Sequence, residues 1–426
     1  MNARWPAAAT IAATAVAWYA SDSLRHRREG GRGYEIDDPP EVGSEGFLRA
    51  AEALTGAPIS RGNRAELLIN GDEIFPCFLE TIASARQTVN LLTYVYWTGE
   101  IAERVAETVC DRARAGVSCR VLLDAVGAWK MDEDLIRRME DGGVIVRRFR
   151  PPKPYAIRRG NNRTHRKVLV VDGRVGLTGG VGIAEEWTGD AQDPEHWRDT
   201  HVRVHGPVVR ALQGAFAENW LEATGEVLAG EDDLPRLDPV PDGDAAMQVI
   251  RSSAGVGDTN VETLYYLAIA AARRRVELTS AYFAPRPAFL RALVDAAARG
   301  VDVRVLVPGE HIDKDVVRHA GRSVYGELLR GGVRVFEYCP TMLHAKSMVV
   351  DGAWSAVGSA NFDNRSFQLN DEAVLCVQDP GLAALLSERF ADDLAASEEI
   401  TLEAWRGRPV TERVKEAGGR LLRREL

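Results

Sequence analysis

Two stretches decide how this chain is read: His165-Arg166-Lys167-Val168-Leu169-Val170-Val171-Asp172-Gly173 and His344-Ala345-Lys346-Ser347-Met348-Val349-Val350-Asp351-Gly352. Both follow the pattern His-x-Lys-x-x-x-x-Asp-Gly, and they lie 179 residues apart (165 to 344). The register continues past the motif, where Gly179-Gly180-Val181-Gly182 falls on Gly358-Ser359-Ala360-Asn361. Lysine is scarce, with six in the chain, yet two of the six occupy equivalent positions in the repeat. The apolar runs 168–171 and 348–350 predict buried strands ended by Asp-Gly turns. Alternation along a strand puts each histidine on the same face as the lysine two residues on. One copy is therefore half a site, and two copies folded face to face bring two imidazoles and two ammonium groups to one cleft.

Around the motifs the chain repeats a helix-strand order. In the first half, 67–69 reads as strand, 74–85 as helix, 89–97 as strand and 101–115 as helix. Strand 118–123, helix 135–139 and strand 144–149 follow. In the second half, helix 264–272, strand 276–283, helix 289–299, strand 302–307, helix 325–330 and strand 333–338 take the same order. The run Gly116-Val117-Ser118-Cys119-Arg120-Val121-Leu122-Leu123 matches Gly300-Val301-Asp302-Val303-Arg304-Val305-Leu306-Val307. Alternating helices and strands imply layered α/β domains, here two copies of one unit.

Paired histidines with fixed cations suit attack on a phosphodiester. A neutral imidazole can be the nucleophile on phosphorus, while a protonated one supplies the leaving oxygen's proton. Lysines offset charge growing on the non-bridging oxygens. Such a site needs no metal or cofactor, and no stretch has metal-ligand spacing.

The motif pair resembles the signature of the phospholipase D superfamily. The run Pro340-Thr341-Met342-Leu343-His344-Ala345-Lys346 is similar to bacterial cardiolipin synthases. So are 358–366, from Gly358 to Ser366, and Leu369-Asn370-Asp371-Glu372. The likeness runs from about residue 66 to about 393. It implies an α/β fold of two duplicated phospholipase D-like α/β/α sandwich domains with pseudo-two-fold symmetry and the active site at their interface. It also implies a phosphatidyl-histidine intermediate, with His165 as nucleophile and His344 as acid and base. Lys167 and Lys346 complete the catalytic pair. The motif aspartates Asp172 and Asp351 belong to the same signature and read as mainly structural, ending strands and binding nearby backbone or cationic groups.

The duplication extends to a supporting carboxylate. Glu372 and Asp199 each stand eight residues before a proline, Pro380 and Pro207, and each opens an apolar strand. The resemblance gives this carboxylate the far nitrogen of a histidine, fixing its tautomer. Asp193 and Glu195 are nearby alternatives to Asp199. For substrate phosphate the candidates are Asn361, Ser359, Arg318 and Arg322, the two arginines lying one helical turn apart. Gly182 stands where the family commonly has a second asparagine. Either the phosphate is held asymmetrically or backbone N–H groups of residues 179–182 replace it. The basic stretch 147–167, with Arg147, Arg148, Arg150, Lys153, Arg158, Arg159, Arg163 and Arg166 and with Tyr155 among them, leads into His165 and could meet anionic headgroups at the cleft mouth.

Composition bounds the remaining possibilities. The chain has 426 residues, 45% hydrophobic and 27% charged, with net charge −9, so a broad basic face for nucleic acid is not expected. Five cysteines, odd in number and without a C-x-x-C, read as reduced thiols. Residues 5–20 form an alanine-rich apolar run followed by arginines. This favours an N-terminal membrane anchor, the catalytic domains facing the cytoplasm, over a cleaved signal or an ordinary amphipathic start. The expected divisions are anchor and tether 1–46, first domain 47–230, linker 231–245 and second domain 246–426. The activity that the resemblance implies joins two phosphatidylglycerol molecules into cardiolipin with release of glycerol. Hydrolysis of phospholipid to phosphatidic acid is the alternative, and a nuclease or phosphodiesterase of the same superfamily or a non-catalytic lipid-binding module stands behind it.

Overall fold

The computed structural model describes residues 35–152, 162–253 and 259–422. The anchor expected at 5–20 lies outside these residues, as do Lys153, Tyr155, Arg158 and Arg159 of the basic stretch. Among the described residues no helix is long and apolar enough to cross a membrane.

The first half supplies β1 Ser60–Ile69, β2 Thr88–Thr93, β3 Ser118–Asp124, β4 Ile145–Phe149, β5 Arg163–Thr164, β6 Val168–Val171, β7 Val175–Gly179 and β8 Thr200–His205. The second supplies β9 Ala245–Ser252, β10 Arg275–Ser280, β11 Phe283–Ala284, β12 Asp302–Pro308, β13 Arg334–Tyr338, β14 Lys346–Val350, β15 Trp354–Gly358, β16 Phe362–Asp363, β17 Asn370–Gln378 and β18 Ser397–Glu399. From the middle outward one side of the main sheet runs β1-β8-β7-β6-β2-β3-β4 and the other β9-β17-β15-β14-β10-β12-β13-β18. The two orders correspond strand for strand apart from the added β18, which is the duplication seen in the motifs. In both halves three strands run parallel, β2-β3-β4 and β10-β12-β13, while the inner strands and the edge strand β18 pair antiparallel. The halves meet where β1 pairs antiparallel with β9, Ser60 opposite Met247, so one sheet crosses the whole molecule.

Helices cover both faces. Asn70–Ala83, Glu100–Arg114 and Glu133–Asp141 close one face of the first half around Ile74, Val105 and Leu135. Asn260–Ala271 and Pro287–Ala298 do the same in the second around Leu264 and Leu293. On the other face Val209–Thr224 and Pro380–Ala395 share one core, Phe216 and Leu212 with Leu382 and Leu386, so apolar burial also fastens the halves together. Helix Glu45–Thr55, within the expected first domain, packs Phe47 into the second half against Trp354, ring centroids 5.8 Å apart. Asp233 in the expected linker is buried and accepts hydrogen bonds from Asn90 and Arg120 of the first half, each at 2.9 Å.

Strands expected at 89–97 and 276–283 both stop early, at Thr93 and Ser280. In each a hydroxyl bonds the carbonyl two residues on, Thr93 Oγ1 to Val95 at 2.9 Å and Ser280 Oγ to Tyr282 at 2.7 Å. A side chain competing for local backbone in this way ends the ladder. The chain then carries Tyr94 and Tyr282 to the histidines.

Candidate active site

Each motif histidine is stitched by its backbone to the opposite half. His165 N–H donates to Asp371 O at 2.8 Å, where β5 pairs with β17, and His344 N–H donates to Arg198 O at 2.7 Å. The carboxylates follow the same crossing. His165 Nδ1 lies 3.1 Å from both oxygens of Glu372 in the second half and 3.0 Å from Ser359 O. His344 Nδ1 lies 2.7 Å from Asp199 Oδ2 in the first half. With Nδ1–H donating to a carboxylate, Nε2 of each ring is left to face substrate.

The two carboxylates are held differently. Glu372 Oε2 accepts from the Ser359 hydroxyl at 2.5 Å, and that hydroxyl in turn accepts the Ala373 N–H at 3.1 Å. Ser359, expected at phosphate, is thus spent on positioning Glu372. In the first half Gly180 stands at the equivalent place, and a Cβ there would come within 2.1 Å of Asp199 Oδ1. Asp199 takes its donors from the Trp187 indole N–H at 2.8 Å and the Thr200 N–H at 2.7 Å. Gly182 is crowded in the same way, since a Cβ there would meet Val95 Cβ at 2.7 Å and the Trp187 indole at 3.2 Å. The second asparagine is excluded by Val95, with the Trp187 ring close behind it. Asn361 stays in the cleft, its Oδ1 accepting the Tyr282 N–H at 3.3 Å, which leaves the amide Nδ2 as its donor end.

Both lysines are buried. Lys167 Nζ donates to His165 O at 2.9 Å, and Lys346 Nζ lies 2.8 Å and 3.0 Å from the His344 ring nitrogens. Burial lowers the Lys167 ammonium to about 8 and the Lys346 ammonium to about 7. Burial also lowers the imidazoles, to about 4 for His165 and about 3 for His344, and each ring feels the lysine of the other half as a further charge holding it neutral. Burial opposes the charge on Glu372 and Asp199 as well, but the histidine, the buried lysine and the hydrogen bonds around each together outweigh it, so both carboxyls stay below their usual range. Aromatic rings enclose the pair. Tyr94 stands edge-on to His165 at 5.1 Å, and His344 is ringed by Trp187 at 5.1 Å, Trp197 at 5.5 Å and Tyr282 at 6.4 Å.

Other sequence candidates lie elsewhere. Asp172 and Asp351, at the far ends of β6 and β14, take the backbone N–H groups of Arg86, Gln87 and Thr88 and of Arg273, Arg274 and Arg275 respectively. They fasten neighbouring strands and are not beside the imidazoles. Arg318 and Arg322, expected at a second phosphate, both turn to the buried Glu337, at 3.0 Å and 2.5 Å. Their spacing put them on one helix face, but that face meets β13. Three of the described arginines of the basic stretch are likewise engaged: Arg148 with Glu133, Arg150 with Glu222 and Arg163 with Asp124. Among the described residues no cluster of three His, Cys, Asp or Glu side chains could hold a metal ion.

Two arginines beside the motifs are buried: Arg166, which the sequence placed with the basic stretch at the cleft mouth, and Arg198, which it did not single out. Arg166 reaches the carbonyls of Ala215 at 2.7 Å and Ser252 at 2.8 Å and tethers Glu372 O at 3.1 Å. Arg198 joins Asp393 at 2.9 Å and Thr200 Oγ1 at 3.0 Å. Both cross between halves next to a carboxylate of the site. The only sequence signal was a charge set among residues destined for burial.

The family model described as "Cardiolipin synthase, PLD-like domain" matches residues 78–220 and 265–394. The chain is 34% identical over 377 residues to a cardiolipin synthase of Geobacillus sp. (strain WCH70), covering 88% of this chain and 75% of that one. It is 37% identical over 381 residues to a cardiolipin synthase A of Pseudomonas fluorescens (strain SBW25), covering 88% and 77%. Its fold is similar to the crystal structure of phosphatidylserine synthase from Haemophilus influenzae Rd KW20, with a TM-score of 0.69 at 12% identity over 89% of this chain and 99% of that one.

Proposed function

The chain belongs to the cardiolipin synthase family of phospholipase D-like proteins and is a phosphatidyltransferase of that superfamily, and from that premise we propose that it joins two phosphatidylglycerol molecules into cardiolipin through a phosphatidyl-histidine. The observation that carries the reading is the crossed clamp, in which each imidazole is oriented by the other half's carboxylate. Two rings so fixed, each with a buried lysine, suit in-line displacement at one phosphorus.

In the first step His165 Nε2, neutral because burial depresses its proton affinity, attacks phosphorus. The P–N bond forms as the P–O bond to glycerol breaks, and the departing glycerol oxygen takes a proton from His344. Burial holds His344 neutral. An anionic phosphodiester shifts both His344 and Lys346 toward their charged forms, which is the direction proton donation requires. Asp199 offsets the imidazolium charge. In the second step His344 takes the proton of a second phosphatidylglycerol hydroxyl, whose oxygen displaces His165 and completes cardiolipin. Lys167, Lys346 and the Asn361 amide are assigned to the non-bridging oxygens.

The substrates imply action at a phospholipid membrane, with the catalytic halves on the cytoplasmic side as the arginines after residue 20 suggest. Incubation of purified protein with labelled phosphatidylglycerol tests the reading. Cardiolipin plus glycerol is expected, and phosphatidic acid as the main product would point to hydrolysis instead. His165→Ala or His344→Ala should each abolish product while leaving the melting temperature near that of the parent.

A further inference from the structure

Four of the six lysines fall into two symmetric pairs. One pair is Lys167 and Lys346. The other is Lys130 and Lys314, each six residues beyond the end of the second parallel strand of its half, β3 at Asp124 and β12 at Pro308. Each lies over an aromatic ring that follows the first parallel strand: Lys130 Nζ is 3.8 Å from the Trp97 centroid, and Lys314 Nζ is 4.8 Å from the Tyr282 centroid. Both rings lead to His344. Tyr282 is 6.4 Å from it directly, and Trp97 is 6.1 Å from Trp187, which is 5.1 Å from His344. Both lysines are exposed, and among the described residues neither makes an ion pair. The nearest carboxylate to the Tyr282 ring, Asp313, accepts the Tyr282 hydroxyl at 2.8 Å.

Their placement has a consequence in the proposed reaction. In-line displacement puts the incoming alcohol opposite His165, on the His344 side. A phosphatidylglycerol acceptor carries its own phosphate three carbons from the attacking hydroxyl, so that second anion enters on the same side. Arg318 and Arg322 are held by Glu337. Resting on that reading of the function, we propose that Lys314, with Lys130 as its counterpart, binds the phosphate of the acceptor lipid and so selects a lipid alcohol over water or a simple alcohol. Stacking on Tyr282 and Trp97 preorganises the two long side chains, so less rotamer freedom is lost on binding.

The test runs the full-length enzyme on phosphatidylglycerol vesicles with ethanol added and measures cardiolipin against phosphatidylethanol. Both products share the donor step and differ only in the acceptor. Lys314→Gln is expected to lower cardiolipin formation about tenfold to a hundredfold, the worth of a charge-assisted contact, with phosphatidylethanol within about twofold of the parent. Lys314→Arg should restore most of the cardiolipin, and Lys130→Gln should act in the same direction. An unchanged product ratio in the Lys130→Gln, Lys314→Gln double variant overturns the assignment, as does an equal fall in both products. A parent enzyme making neither cardiolipin nor phosphatidylethanol would instead remove the functional reading beneath it.

Discussion

Glu372 lies in the second half of the chain, yet both its oxygens stand 3.1 Å from Nδ1 of His165 in the first. Asp199 makes the reciprocal reach to His344. Neither half contains a complete histidine-carboxylate pair, so assembly of the interface and assembly of the chemistry are one event. Glu372→Gln and Asp199→Asn preserve shape and remove charge. Each is expected to lower kcat about a hundredfold to ten-thousandfold, the range for losing acid-base competence, with KM for lipid little changed. Steady-state kinetics on vesicles reads both parameters, and an effect confined to KM would speak against orientation as their role.

The two carboxylates differ in their supports, which gives an asymmetric prediction. Gly180→Ser would imitate the second half's Ser359, but its Cβ would press on Asp199 Oδ1. Activity should fall about as far as in Asp199→Asn. Ser359→Ala removes one donor to Glu372 and should cost only about tenfold in kcat.

Gly182→Asn, which would give the first half the counterpart of Asn361, is expected to harm the protein. The added Cβ meets Val95 and the Trp187 ring, an overpacking that costs about 1–3 kcal/mol. Chemical denaturation measures it.

Arg322→Gln should lower stability and leave KM for lipid unchanged, because Glu337 and Arg322 are both largely buried and the carboxylate would lose a partner. Loss of one member of such a pair costs about 3–5 kcal/mol, and Arg318 retains part of the pairing here, so the lower end is expected. A tenfold rise in KM at constant melting temperature would return Arg322 to the lipid site.

What the sequence could reveal follows from the physics of each feature. The His-x-Lys spacing was legible because strand alternation fixes which side chains share a face, and the repeat made that inference twice. Asp199 and Glu372 were reachable by counting from matched prolines. Their crossing was not, since a symmetric repeat says nothing about whether a carboxylate serves its own copy or the other. Arg318 and Arg322 show the limit of helical spacing, which places two residues on one face without saying what that face meets. Helix Glu45–Thr55 precedes the first half in sequence but buries Phe47 in the second, a partnership only tertiary packing decides. Trp187 left a faint signal, two side-chain-free positions, Gly180 and Gly182, a few residues before a large ring.

The pH profile follows from buried charge. Burial holds His165 at about 4, below the ordinary 6.5, so its nucleophilic form persists well into the acid range. kcat/KM should not show an ordinary histidine limb near 6.5, falling instead toward about 4. The same depression makes the neutral imidazole's contribution to stability present above 6.5 and lost as pH falls through about 4. On the alkaline side Lys346 at about 7 and Lys167 at about 8 lose their protons first, so activity should decline above neutrality. Lys346→Arg should move that limb to higher pH, at whatever plateau the altered geometry allows.

The covalent step can be observed directly. Phosphatidyl-p-nitrophenol has a leaving group that departs without a proton, so the His344→Gln variant should still be phosphatidylated but should lack the base for the second step. Rapid mixing is predicted to release about one equivalent of nitrophenolate per enzyme in a burst, with the phosphatidyl label recovered on the peptide containing His165. No burst, or a label carried by a peptide lacking His165, would contradict the account.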